Sequence, residues 1–296
     1  MSKQPKRPIT GWLILDKPAG MSSAQAVGKV RWLYNAMKAG HAGTLDPLAT
    51  GILPIALGEA TKTVPFIQDG HKRYRFTLVW GSATNTDDTE GEIVATSDVR
   101  PSAEDITAAL PRFTGDILQR PPAYSAIKID GERAYARARA GEAVEMAARP
   151  VHVETLTLID HGAERSTFDM QCGAGTYVRA IARDLAEALG SRGHVGTLRR
   201  LAVGDFGEAG AVTLETLEAA TDREALLLPA SAALRRIPEI RLTPDEAALI
   251  RNGNPVLLRG RDAPVSLPEA WASLEGNVLA LGSVVSGQFR PGRVLN

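Results

Sequence analysis

Cysteine is almost absent from this chain. The single one, Cys172, excludes an intrachain disulfide and fits a reducing compartment. Histidine is sparse too: five residues, at 41, 71, 152, 161 and 194, with no HExxH or other close pair. With so few sulfur and imidazole ligands, no structural or catalytic zinc is expected. No apolar run approaches the ~20 residues that span a bilayer. The WLIL after the basic MSKQPKRP is too short for a signal-peptide core. A soluble, cytoplasmic protein with no membrane partner is expected. Net charge is missing as well: 34 Lys+Arg balance 34 Asp+Glu, which argues against a uniformly basic surface and leaves local basic patches open. Lysine is the scarce cation, with 8 beside 26 arginines. GC-rich coding produces such a bias, and so would recognition of phosphate or carboxylate by guanidinium.

Several common motifs are also missing. There is no GxSxG elbow and no GxxxxGK[ST] phosphate loop. CGAGTYV (172–178) begins like a dinucleotide fingerprint, but Val178 stands where the third glycine belongs. TNTDDTEG (84–91) sets its acids off the alternate positions of a calcium loop. Cys172 shares a strand face with Phe168 and Met170 and reads as core.

What is present is ordinary globular material: 296 residues, 44% hydrophobic, long enough for about two domains. GWLILDKPAG (11–20) predicts a strand ending in a Pro-Gly turn. SSAQAVGKVRWLYN (22–35) predicts a capped helix with Ala26, Val27, Val30, Leu33 and Tyr34 as its apolar stripe. KRYRFTLVWG (72–81) alternates as a strand, and 84–95 reads as a polar turn entering another. SAEDITAALPRF (102–113) is a capped helix. VHVETLTLIDH and STFDMQCGAG are strands, followed by the helix TYVRAIARDLAEALG, closed by Gly190. Residues 120–149 carry six cationic residues (Arg120, Lys128, Arg133, Arg137, Arg139 and Arg149) against four acids and read as a partly helical excursion. Residues 239–296, cut into short segments by Gly and Pro, suggest a compact β-unit.

One stretch has an unusual chemistry. GHAGTLDPLATG (40–51) holds a lone carboxylate, Asp46, among small and apolar residues. Pro47 biases Asp46 away from helical angles, and Gly43 and Gly51 permit close backbone approach, by a ligand or by the chain itself. Read singly, each residue here is unremarkable. An aspartate before proline is usually a turn residue, a tyrosine on an alternating strand is half-buried packing, and an arginine on a helix is solvated.

Five segments together carry more. GHAGTLDPLATGILPIALGEATK, with LDKPAGMSS before it and KRYRFTLVWG, CGAGTYVRAIARDL and GHVGTLRRLAVGDF after it, strongly resembles the bacterial tRNA pseudouridine-55 synthase family, the TruB type. Order and approximate spacing hold from residue 11 to about 206.

The resemblance implies an α+β fold: a mixed, largely antiparallel sheet with flanking helices and a cleft across it. It implies a catalytic domain at 1–238 with a thumb insertion at about 120–149, and a PUA-like RNA-binding domain at 239–296. The implied reaction detaches the uracil of one T-loop uridine of tRNA from C1′, turns it over and rejoins it through C5. Nothing is oxidised and no group is carried away, so no cofactor and no metal are expected. The partner is the T stem-loop of tRNA, with a monomer and no obligatory protein partner.

The catalytic residues carried over are Asp46, as nucleophile or as the base that starts elimination, Tyr74 and Arg179. Arg179 matches the arginine that pairs with the aspartate. Tyr74 is expected to stack on the target base before any role in removing the C5 proton, because a phenol with a pKa near 10 is a poor base. Residues on the substrate side are His41, placed to fill the space left by the flipped nucleotide, Leu198 of the pocket wall, Asp88, Tyr177 and Lys17. Lys17 is expected chiefly to brace the catalytic loop. The chain departs from the family at Asn85, where an aspartate is usual, which puts the ion pairing of that loop in question. Two other readings stand beside this one: a catalytically silent RNA-binding or tRNA-chaperone protein, and a guide-RNA-dependent synthase of the dyskerin type. The intact Asp46, Tyr74 and Arg179 weigh against the first, the short tails and long thumb against the second.

Overall fold

The computed structural model describes residues 5–125, 128–129, 132–133 and 146–295. The first half runs β1 (Gly11–Lys17), α1 (Ser23–Leu33), β2 (Ala39–His41), β3 (Thr50–Leu57), the short α2 (Val64–Gln68), β4 (Lys72–Trp80), β5 (Ser82–Thr84), β6 (Ile93–Thr96), α3 (Ala103–Ala109) and β7 (Gly115–Gln119). After the β8–β9 pair (Lys128–Ile129, Glu132–Arg133) come β10 (Arg149–His161), β11 (Arg165–Cys172), α4 (Val178–Ala188), β12 (Gly193–Val203), β13 (Phe206–Gly207) and α5 (Leu214–Ala219).

Nine of these strands form one sheet among the described residues, in the order β1-β3-β12-β4-β11-β10-β7, with β2 paired to β3 and β13 to β12. Every pairing is antiparallel except β12 with β3, a short parallel contact at Arg199↔Thr50 and Arg200↔Gly51. The sheet is therefore mixed and largely antiparallel, as the family resemblance implies.

Alternation along β4 decides its two faces. Tyr74, Phe76, Leu78 and Trp80 turn inward, while Arg73 and Arg75 stay exposed. Inward, Phe76 stacks on its cross-strand neighbour Phe168, with ring centroids 5.2 Å apart. Ala26 and Val30 of α1, Ile106 of α3, and Ile181 and Leu185 of α4 cover that face and complete the core, with Cys172 fully buried among them. Burial pushes the Cys172 thiol up to about 11, so it is inert packing.

The expected thumb leaves the sheet from β7 and returns to β10, which are neighbours in register at Gln119↔Arg149. Beyond the backbone pairing of β8 with β9, most of that insertion, Arg137 and Arg139 included, lies outside the described residues.

The C-terminal segment forms a second, five-stranded sheet: β14 (Glu239–Arg241), β15 (Val256–Leu257), β16 (Leu267–Leu274), β17 (Asn277–Val285) and β18 (Gln288–Val294). It also holds a helix the sequence reading omits, α6 (Pro244–Arg251). Its signal was legible: Thr243 caps it, Glu246 closes a capping box, and Pro244 takes the first turn. The second sheet packs against α2 and the connecting segment through an apolar cluster of Leu234, Trp271, Leu281 and Leu295, with Phe66 packed on it. Trp271 Nε1 donates to the Ile237 carbonyl at 3.0 Å, and Lys62 Nζ to that of Val294 at 2.7 Å. No helix among the described residues is long and apolar enough to cross a membrane.

Candidate active site

Asp46 stands on the loop between β2 and β3, and that loop is pinned on both sides of it. Lys17, fully buried at the end of β1, donates to the carbonyls of Pro18 (2.8 Å), Met21 (2.7 Å) and Pro47 (3.3 Å). Gly20 N–H also donates to Pro47 O. Ser23, buried in the first turn of α1, exchanges hydrogen bonds with both the N–H and the carbonyl of Leu45, at 2.8 and 2.9 Å. The Ser22 capping box holds that turn in place. Between these anchors the Asp46 side chain keeps 33% of its surface.

Arg179 answers it from the N-terminus of α4, itself 5% exposed. Its Nε lies 3.0 Å from Asp46 Oδ2, but the N–H is not aligned on the oxygen and makes no geometric hydrogen bond. Nη1 donates to Thr86 O at 2.8 Å and lies 3.3 Å from Asp88 Oδ2, while Nη2 donates to Tyr124 O at 2.9 Å. Asp88, 2% exposed, is held in turn by Thr86 Oγ1 and Glu90 N–H. Asp88 thus orients the arginine and has almost no surface to offer a substrate. Lys17, with none, braces the loop in the same way.

Loss of water around Asp46 is the largest influence on its carboxyl and raises its pKa above the ordinary value; Arg179 opposes this and the Asp88 charge reinforces it. Burial also brings Lys17 down to about 8 against the pull of Asp46. Tyr74, 9% exposed, is pushed up by burial, which makes its phenol a poorer base still. Leu198 lies on the inner face of β12, opposite Phe76. His41 sits on β2, its Nδ1 buried without a partner, and its pKa is lowered by burial first and by Arg200 second, so it is neutral at pH 7. Tyr177 is the N-cap residue of α4, and the buried Gln119 holds both its N–H (2.8 Å) and its carbonyl (3.0 Å).

Gly43 and Gly51 adopt left-handed φ, +95° and +100°, and at Gly51 the close neighbour is protein. A Cβ on Gly51 would lie 2.2 Å from the Arg200 carbonyl, and one on Gly43 3.6 Å from Arg200 Nη1. At the family departure, Asn85 Oδ1 accepts from Glu92 N–H, while Asp87, next to Asp88, takes an ion pair with Arg183 at 2.9 Å. The sequence reading passed over Arg200, Gln119 and Ser23. For Arg200 a signal existed: on a strand it shares the face of Leu198, so placing one inward places the other inward.

An acid and an arginine 3.0 Å apart, beside a buried phenol and on a pinned loop, suit a reaction that needs one nucleophile or base and no redox step. Comparison with known proteins agrees. Residues 31–178 match the sequence model described as TruB family pseudouridylate synthase (N terminal domain), and residues 179–237 match the tRNA pseudouridylate synthase B C-terminal domain. A tRNA pseudouridine synthase B of Dinoroseobacter shibae is 56% identical over 97% of this chain and 96% of its own. One from a Chelativorans species is 54% identical over 99% and 97%. Among solved structures, a chain of a Cbf5-Nop10-Gar1 complex superposes with a TM-score of 0.74 at 24% identity, covering 97% of this chain and 85% of that one. A chain of an H/ACA RNP bound to a substrate RNA gives 0.72 at 20%, so both share the fold. The chain belongs to the TruB family of pseudouridylate synthases.

Proposed function

We propose that this protein isomerises a uridine of tRNA, the one at position 55 in the T loop, to pseudouridine. The observation that carries the reading is the pinned Asp46 carboxylate against Arg179. The bond between N1 and C1′ breaks, the uracil turns, and a bond between C5 and C1′ forms as the C5 proton leaves. Asp46 acts at the sugar, either by attack on C1′ or as the base that starts an elimination, and Arg179 keeps it ionised. Tyr74 stacks on the extruded base, Leu198 walls the pocket, and His41 fills the space the nucleotide vacates. Tyr177, Asp88 and Lys17 hold this arrangement in place. Residues 1–238 carry the chemistry, and residues 239–296 grip the tRNA away from it. The relatives named tRNA pseudouridine synthase B support the substrate. The enzyme works as a monomer without a guide RNA.

Incubation of the purified protein with unmodified tRNA transcript, followed by mapping of pseudouridine, tests this. Conversion at the T-loop uridine alone is expected, and Asp46→Asn should abolish it while tRNA affinity stays close to the parent. The amide keeps the shape of the carboxylate but is neither nucleophile nor base. Turnover by that variant would remove Asp46 from its role.

A further inference from the structure

β12 delivers two adjacent arginines to opposite faces of the sheet. Arg199 lies on the open face, in ion pairs with Asp16 and Glu208 at 2.8 and 2.7 Å. Arg200 turns inward and is 1% exposed. Its acceptors are backbone carbonyls: Nε donates to Ile52 at 2.8 Å, Nη1 to Thr44 at 3.2 Å and Nη2 to Gly43 at 3.0 Å.

A guanidinium buried with no carboxylate partner among the described residues is a costly way to fill space, and an apolar side chain of similar size would pack there at less expense. Its geometry shows what it does instead. Gly43 and Thr44 lie where the Asp46 loop begins, and Ile52 lies just past its end. One planar group therefore ties both ends of the loop together, while Lys17 and Ser23 hold the middle at Pro47 and Leu45. The same residue pairs in register with Gly51 of β3 and with Tyr74 of β4. Gly51 is kept without a side chain by the Arg200 carbonyl. The positive charge also bears on its neighbours: it adds to the burial that lowers His41, Lys17 and Lys72 and opposes the burial that raises Tyr74.

We propose that Arg200 is a positioning residue for the reaction: its guanidinium fastens both ends of the 43–52 loop and thereby sets where the Asp46 carboxylate stands relative to Arg179 and Tyr74. The proposal rests on Asp46 being the reacting carboxylate. Lysine keeps the charge but lacks the planar fork that reaches three carbonyls at once.

Full-length Arg200→Lys and Arg200→Gln test it by two readouts, well below their unfolding midpoints. In single turnover with saturating tRNA, both variants should lose about 100-fold in rate, the order expected for a displacement of about 1 Å of a reacting group, with tRNA affinity little changed. In amide hydrogen exchange, peptides covering 42–53 should open about tenfold faster, while β10 and β11 keep their protection. A role in general stability would instead lower the melting temperature and loosen all strands alike, leaving the rate of the folded enzyme intact. A folded Arg200→Lys with parental rate and parental loop protection overturns the proposal. So does loss of folding in both variants, because a residue required everywhere is not a staple of one loop. If the parent makes no pseudouridine, the functional reading fails, and the exchange measurement alone then supports or overturns the staple.

Discussion

Asp46 is pulled in two directions, and the balance sets how the reaction should depend on pH. Removal of water favours the neutral acid, while Arg179 favours the carboxylate, with a net rise above the ordinary 3.8. With Asp46 as the proposed reacting carboxylate, the reactive form is the anion, so a raised pKa moves the acid limb to higher pH than an unperturbed aspartate would give. A second limb is expected on the alkaline side. Lys17 titrates at about 8, and as an amine it keeps two N–H donors for three carbonyls and no longer supports the Asp46 charge. The single-turnover rate should therefore fall as pH rises through about 8. Lys17 makes no matching loss of stability in that window. A base whose folded pKa lies below its unfolded value is held more easily once neutral, so its contribution to stability improves above about 8. Rate and unfolding free energy measured from neutral pH upward would separate the two; a flat rate through this range would refute the brace. Tyr74 gives the other test at this scale. Tyr74→Phe keeps the ring and should still extrude the uridine. Tyr74→Leu forfeits stacking of about 1–3 kcal/mol and should do so poorly. Fluorescence of a base analogue at the target reads this, and equal extrusion by both variants defeats the stacking role.

At the scale of elements, the active loop is held by its neighbours rather than by its own sequence. α1 presents Ser23 to Leu45, β1 presents Lys17 to Pro47, and β12 pairs alongside β3 at Gly51. Gly51→Ala should accordingly be severe. The left-handed backbone costs an L residue about 1–2 kcal/mol, and overpacking against the Arg200 carbonyl adds about 1–3 kcal/mol. Gly20→Ala is the control: φ is +77°, but no atom lies within 4 Å of the added carbon, so only the backbone cost should appear. Urea unfolding of the two variants measures the difference, and equal losses would mean that β3 and β12 separate readily. Ser22→Ala, which removes the α1 cap, should cost about 1 kcal/mol by the same measurement.

For the whole molecule, the C-terminal sheet is joined to the rest largely through an apolar cluster, and that changes how the C-terminal unit should be tested. Deleting 239–296 would uncover Leu234, which is fully buried, and leave Phe66 without Trp271 and Leu281. Loss of binding by such a truncation would then mix exposure of apolar surface with loss of grip. Substituting exposed arginines is cleaner. Residues 239–296 hold six bases and six acids, a balance from which only a few phosphate contacts are expected. Replacing Arg259, Arg261 and Arg290 by alanine should flatten the salt dependence of tRNA binding by roughly 0.7–0.9 in log–log slope for each that meets a phosphate. The single-turnover rate at saturation should hardly move. An unchanged slope for the triple variant would place the grip elsewhere.

By itself the sequence determined the local elements and, through resemblance to a family, pointed to Asp46 as the candidate reacting group. Helix α1 announced itself through its serine cap and apolar stripe, β4 through strict alternation, and the C-terminal α6 left a capping box that could have been read. These signals are legible because they depend on neighbours one to four residues away. Asp46, Tyr74 and Arg179 came from segments 28 and 105 residues apart in turn, linked only through resemblance to a family. Tertiary structure alone decided that Arg179 reaches Asp46 at 3.0 Å, that Asp88 and Lys17 are buried braces, and that β12, with two adjacent arginines in its sequence, runs between β3 and β4 inside the sheet. It also decided that Arg200, a cation no local pattern would bury, satisfies its donors on carbonyls from residues about 150 positions earlier. The physical reason is the same throughout: a buried charge is stable only where distant chain segments bring it partners, and no window of sequence contains them.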